Sequence, residues 1–223
     1  MADLSVARLS VARAAMVGGQ VRTNDVTDKR ITEIMGRLER ERFVPSSQQA
    51  LAYADTCVEV KANRCLLDPR SFAKLLQLAE IEENDRVLDV ACATGYSTAV
   101  LAQMSSDVVA LEEDEELAKF AAPLLRTCVK RGRIYGVVSP HKEGAPGQSP
   151  FDVVFVNGAV EYVPDEWVEQ LKEGGRMVVI LVDGALGKAY YCVRQAGALS
   201  RRFAFDATVP VLPGFVRSRS FVF

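Results

Sequence analysis

The sequence holds a single histidine, His141, among 223 residues, and its five cysteines include no C-x-x-C pair. Cys57, Cys65, Cys92, Cys128 and Cys192 are widely spaced and odd in number. This scarcity argues against a zinc centre and against a disulfide framework, and the thiols read as reduced core groups of a cytoplasmic protein. Long apolar runs are missing, and the first residues carry charge too early and too often for a signal peptide, so no membrane association is expected. Charge of one sign is missing as well, since 27 basic residues against 29 acidic ones leave a net charge of −2. The basic positions are scattered without an aromatic-spaced stripe, so nucleic acid is not an expected partner. Internal repeats and long linkers are also absent.

What is present is a chain 49% hydrophobic and 25% charged, enough to bury one sizeable core. The expected organisation is one domain over residues 1–223, with a helical layer or cap over 1–80 and an α/β sheet core over 85–223. Residues 3–18 are predicted helical, with Val6, Leu9, Ala14, Met16 and Val17 apolar and Gly18-Gly19 as the stop. That helix either packs on its own chain or mediates dimerisation, so monomer and homodimer both stay open. Asp25 is the predicted cap of a second helix carrying Ile31, Ile34, Met35 and Leu38, with Asp28 satisfying further first-turn donors and Pro45 marking the end. The charge run Glu39–Arg42 is expected on its wet face. Asp68 as cap and Pro69 at the first helical position open a third helix, with Phe72, Leu75, Leu76 and Ala79 as its buried stripe.

From Asp85 onward strand-like and helix-like segments alternate. "RVLDVA", "DVVALE", "RIYGVV", "FDVVFV" and "GRMVVILV" read as strands. Helices are expected from Gly95 to Gln103, from Asp114 towards Val129, and in "PDEWVEQL", where Trp167 packs helix against sheet. Nearly continuous apolar strands between amphipathic helices indicate a parallel sheet covered on both faces. Asp183 to Gly187 is too short for a parallel crossover, so "KAYYCVR" is predicted to return antiparallel, and the tail "FVRSRSFVF" also looks strand-like.

The segment "VLDVACATGYSTAVLA" places a tight loop between a strand ending at Asp89-Val90 and a helix beginning at Gly95. The crevice beyond the first strand of such a sheet is the expected site for a nucleotide-type ligand. Glu112, in "ALEED", ends the next strand, where a carboxylate accepts hydrogen bonds from ribose hydroxyls; the adjacent Glu113 competes for that role. Ala91 and Ala93 stand where such loops commonly carry glycine. A methyl group there is tolerated at negative φ and excludes left-handed conformations.

Several stretches, "MVGGQVRTNDVTD", "RERFVP", "VLDVACATGY", "ALEED", "FDVVFVNGAV", "LKEGGRMVV" and "VPVLPGF", resemble the protein L-isoaspartate O-methyltransferase family in order and spacing over nearly the whole chain. The resemblance implies an α/β fold: a doubly wound, seven-stranded, mostly parallel Rossmann-like sheet with an N-terminal helical cap. It also implies S-adenosyl-L-methionine as cofactor, the α-carboxylate of isomerised aspartyl residues as methyl acceptor, and damaged proteins or peptides as substrate. Asp89, Ala91, Ala93, Gly95, Tyr96, Glu112 and Asn157 would line or support the cofactor pocket. Tyr53 and the "NRCLLDP" segment would border the substrate, with Arg64, Leu67 and Arg70 as further candidates. In two places the sequence departs from the family. Cys65, Leu66 and Leu67 replace a threonine-isoleucine-serine run whose serine helps hold substrate, and Val137 follows Gly136 where an aspartate near the adenine is usual.

Methyl transfer to a carboxylate needs no general base, because the oxygen is already ionised at neutral pH (carboxylate pKa about 3.5 to 4). It requires alignment, exclusion of water and complementary electrostatics. A chain with one histidine in a polar Gly/Pro loop is therefore not barred from it, and His141 is given no catalytic part. The expected activity is isoaspartyl methylation. The departures keep open a non-catalytic partner- or metabolite-binding protein, and a methyltransferase with another substrate.

Overall fold

The computed structural model describes residues 2–184 and 186–217. The N-terminal layer begins with α1 (Ala2–Met16), which is not stopped by Gly18-Gly19. The chain continues through a π-helical turn, Val17–Val21, and a 3-10 turn, Arg22–Asn24, and leaves the helical direction at Asp25, whose φ is +62°. Burial of Val17 and Val21 holds the turn together, which outweighs the roughly 1 kcal/mol a helical glycine costs. Asp28, not Asp25, caps α2 (Lys29–Arg37), accepting the Arg30 N–H at 2.8 Å. The helix ends there, well before Pro45, and Glu39–Arg42 does not form a wet helix face. Arg40 and Glu41 are buried in a 3-10 turn, Arg40–Phe43. A two-stranded antiparallel hairpin follows, β1 (Val58–Lys61) and β2 (Arg64–Leu66). Then comes α3 (Pro69–Leu78), capped by Asp68 through the Ser71 N–H at 2.8 Å, with Phe72, Leu75, Leu76 and Ala79 buried as their spacing predicts.

The α/β part runs β3 (Arg86–Val90), α4 (Tyr96–Leu101), β4 (Asp107–Glu112), α5 (Glu115–Cys128), β5 (Arg133–Val138), β6 (Phe151–Val160), α6 (Asp165–Glu169), β7 (Leu171–Asp183), β8 (Leu186–Gln195) and β9 (Ala198–Asp206). These seven strands form one sheet in the order β5-β4-β3-β6-β7-β8-β9. The first five in that order are parallel, while β8 and β9 close it as an antiparallel meander. The expected turn-back is seen at the Asp183–Leu186 pair. β9 carries no apolar period, because an edge strand with exposed Arg201 and Arg202 has little to bury. Of the strand expected in the tail, Phe215–Arg217 is not strand, and residues 218–223 lie outside the described residues.

Successive strand residues alternate between two apolar clusters. Val87, Val108, Val153 and Val178 meet the N-terminal layer, α3, α4 and α5. Leu88, Val109, Val154 and Val179 meet Trp167, Ala145, Leu212 and Phe215 on the opposite face. The crossover from β5 to β6 has only short 3-10 turns, His141–Glu143 and Pro146–Gln148, so α6 and loops cover that face. Strand order reverses beside β3, between β4 and β6, which sets the switch-point crevice at the ends of those three strands.

Candidate active site

Asp89, near the end of β3, is fully buried and saturated by neighbours. Its Oδ2 accepts Ser97 Oγ at 2.8 Å and Thr98 Oγ1 at 2.6 Å, and its Oδ1 accepts Asn157 Nδ2 at 2.5 Å. Burial pushes this carboxyl up to about 7, while those hydrogen bonds pull the other way. Asn157 also donates to the Val90 carbonyl at 3.1 Å. Asp89 thus ties β3, α4 and β6 together and fixes the loop that starts at Ala91.

That loop is left-handed at both alanines, with φ +59° at Ala91 and +51° at Ala93. The expectation that a methyl group is tolerated here through negative φ does not hold, and each alanine stores about 1 to 2 kcal/mol of strain. Gly95 (φ +88°) caps α4 in the same region of φ; a Cβ there would meet Ala121 Cβ at 3.0 Å and crowd Leu125. α4 is less than two turns long, so its end dipole is a minor element of the site.

Glu112 ends β4 and is 1% exposed. Its Oε1 accepts Arg64 Nη1 at 2.6 Å and the Asp114 N–H at 3.1 Å; its Oε2 accepts Arg64 Nη2 at 2.7 Å and the Ala93 N–H at 2.7 Å. His141, buried rather than solvated in its loop, stands with Nε2 3.3 Å from Oε1 and accepts the Glu113 N–H at 3.1 Å. Burial alone would raise the Glu112 carboxyl, but the neighbouring His141 and the Arg64 guanidinium outweigh it and hold the group down at about 2. Glu112 is therefore ionised at neutral pH, and Arg64, 6% exposed, is its bidentate partner.

Two cavities flank this pair. A cleft of about 630 Å³ opens between α5 and β5 and reaches Cys92, Ala110, Glu112, Gly136 and Val137. Its small lining residues leave space that bulkier side chains would fill, and its size falls within the range of ligand pockets. On the other side of the loop, a cavity of only about 10 Å³ is bordered by Arg40, Leu67, Ala91, Ala93, Tyr96 and Asn157. Arg40 holds the Ala52 carbonyl at 2.8 Å and the Leu67 carbonyl at 2.6 Å, and its guanidinium lies 4.6 Å from the Tyr96 ring centre. Arg40 Nη1 and Tyr96 Oη are buried without a hydrogen-bond partner among the described residues.

The structure thus gathers Arg64, Leu67, Ala91, Ala93, Tyr96, Glu112 and Asn157 around one loop. Tyr53 lies apart from it, donating to Glu41 in the N-terminal layer. Arg70 is half-buried on the first turn of α3 and makes no side-chain hydrogen bond or ion pair among the described residues. Trp167 packs 5.2 Å from Phe215 and donates Nε1 to the His141 carbonyl, as its helical setting predicts. Sequence reasoning missed Arg40 and His141, one read as part of a wet charge run and the other as a loop residue. The apolar Phe43-Val44 just after Arg40 was the available signal for the first; no local signal marks the second.

The model of the protein-L-isoaspartate(D-aspartate) O-methyltransferase family matches residues 13–200. A protein-L-isoaspartate O-methyltransferase of Koribacter versatilis is 34% identical over 189 residues, covering 85% of each chain. One from Roseiflexus castenholzii is 30% identical over 204 residues, covering 91% of this chain and 92% of that one. A solved protein-L-isoaspartate O-methyltransferase superposes with a TM-score of 0.77 at 23% identity, over 91% of this chain and 66% of that one. A candidate protein-L-isoaspartate O-methyltransferase from Plasmodium falciparum, solved in complex with S-adenosyl-L-homocysteine, gives 0.75 at 18% identity, over 90% and 97%. These two likenesses carry the fold, while the sequence matches carry the kinship. On the sequence matches the chain belongs to the protein-L-isoaspartate(D-aspartate) O-methyltransferase family, and it has the class I methyltransferase fold.

Proposed function

We propose that the chain is an S-adenosyl-L-methionine-dependent O-methyltransferase acting on the α-carboxylate of isomerised aspartyl residues in damaged proteins or peptides, a repair activity of the cytoplasm. The observation that carries this reading is an ionised carboxylate, Glu112, at the second-strand position of the switch-point crevice, opening onto a cleft of about 630 Å³. The lining suits a nucleoside: Glu112 to accept from the ribose hydroxyls, and small residues (Ala110, Gly136, Ala118) beside it for a flat ring. The methionine side, at about 10 Å³, is closed, and Cys65 and Leu66 of β2 stand at its border.

When bound, S-adenosylmethionine supplies a methyl group activated by a sulfonium. The chain's own part is to hold and to exclude. Asp89, Ser97, Thr98 and Asn157 fix the loop. Arg40 pins the segment after β2 through the Leu67 carbonyl. Leu66, Leu67, Phe72 and Tyr96 wall the loop side with apolar surface and keep water from the acceptor oxygen. No protein base is required, since the acceptor is a carboxylate.

Incubation of the purified chain with labelled cofactor and an isoaspartyl peptide tests the proposal. A base-labile methyl ester above a heat-killed control is the expected result. Its absence, with S-adenosylhomocysteine still binding at micromolar concentration in a calorimeter, would transfer the reading to another substrate. Absence of both would support the non-catalytic reading.

A further inference from the structure

We propose that Arg64 is a transferable cation. It caps Glu112 in the arrangement described here, leaves when a ribose diol takes that carboxylate, and then binds the carboxylate of the substrate. This deepens the methyltransferase reading above and rests on it.

A carboxylate offers about four lone-pair sites, and Glu112 has four donors in place: two from Arg64 and the N–H groups of Ala93 and Asp114. Two ribose hydroxyls need two of those sites. The Ala93 and Asp114 N–H groups are built into the left-handed loop and the cap of α5. Arg64 instead stands on a three-residue strand of a two-stranded hairpin. That hairpin is fastened to the start of α5 by the half-exposed Lys61, 2.5 Å from Asp114 and 2.7 Å from Glu116. Arg64 is therefore the donor that yields.

A diol is neutral, so its arrival leaves a desolvated guanidinium without an anion, a costly state for a buried arginine. The neighbouring Glu113 is already engaged, accepting the His141 N–H at 3.3 Å and lying 3.3 Å from its Nδ1. Arg64 immediately precedes Cys65, Leu66 and Leu67, and Leu66 and Leu67 border the loop-side cavity opposite Ala91 and Ala93. Leucine at 67 offers no hydrogen bond to a carboxylate there, whereas a guanidinium binds one through two parallel bonds. The displaced cation and the anionic substrate then satisfy each other. Cofactor binding creates the substrate site, and by reciprocity the substrate tightens cofactor binding.

Two variants test this: Arg64→Met, which keeps the apolar stem, and Arg64→Lys, which keeps the charge. Calorimetry with S-adenosylhomocysteine should show Arg64→Met binding at least tenfold tighter than the parent, because its internal competitor is gone. An isoaspartyl peptide should bind the parent at least tenfold tighter with S-adenosylhomocysteine present than without. That coupling should vanish in Arg64→Met and return in part in Arg64→Lys. The same peptide with its α-carboxylate amidated should bind every variant weakly. In turnover, Arg64→Met should raise the peptide KM at least tenfold with kcat changed less than threefold.

Weaker product binding by a folded Arg64→Met chain would place Arg64 on the cofactor and overturn the proposal. An unchanged peptide KM would do the same. A parent chain that binds the product but forms no ester overturns the isoaspartyl reading on which this rests, a result distinct from either.

Discussion

Asn157 Nδ2 donates to Asp89 Oδ1 at 2.5 Å, joining the ends of two adjacent parallel strands beneath the left-handed loop. Asp89 has no exposure to water, and burial raises its carboxyl to about 7 from an ordinary 3.8. The folded state therefore binds this proton more readily than the unfolded one. The contribution of Asp89 to stability is fully present below about pH 4 and falls as pH rises towards 7. The thermal midpoint should decline between pH 5 and 7.5, and Asp89→Asn should flatten that decline. Scanning calorimetry across the interval is the check; parallel profiles for parent and variant would refute the assignment.

The buried pair of Arg64 and Glu112 makes the opposite kind of contribution. The Glu112 carboxyl is held at about 2 against an ordinary 4.5, so its stabilisation is present above about pH 4.5 and is lost as pH falls towards 2. At neutral pH, Glu112→Gln leaves Arg64 buried without its anion and should destabilise the chain by about 3 to 5 kcal/mol. The double change Arg64→Met with Glu112→Gln should recover most of that loss. Urea denaturation of the three proteins measures it.

Ala91 and Ala93 give a third expectation, unusual in its sign. Both hold φ values near +50° to +60°, where alanine is strained by about 1 to 2 kcal/mol and glycine is not. Glycine loses about 0.5 to 1 kcal/mol through the freedom of its unfolded chain. Ala91→Gly and Ala93→Gly should each therefore be stabilising, by up to about 1 kcal/mol, although both replace a buried methyl group. Urea midpoints decide, and a loss above 1 kcal/mol in either variant would mean that packing of the methyl outweighs the strain.

Leu67→Ser would return a hydroxyl to the segment that borders the small cavity. One useful hydrogen bond to substrate is worth about 1 to 3 kcal/mol when charged groups take part, or about ten- to hundredfold in kcat/KM with an isoaspartyl peptide. Leu67 is also buried, so the variant should lose about 2 to 4 kcal/mol of stability. Activity should be compared well below its melting temperature. No gain in kcat/KM would show that a hydroxyl at this position does not serve the carboxylate.

The sequence itself determined the parallel sheet, the Asp68 cap, the antiparallel return at Asp183 and the loop between Val90 and Gly95. Each is set by signals within a few residues: apolar runs of strand length, a capping carboxylate before Pro69, a connection too short for a crossover. Only the tertiary structure decided the left-handed setting of Ala91 and Ala93, the burial of Arg40 and His141, and the capture of Glu112 by Arg64. A backbone conformation that disfavours its own residue type leaves no trace in propensity, because packing elsewhere sustains it. A charge reads as solvated until the fold supplies its partner, and Arg64 and Glu112 are brought together across 48 positions of chain.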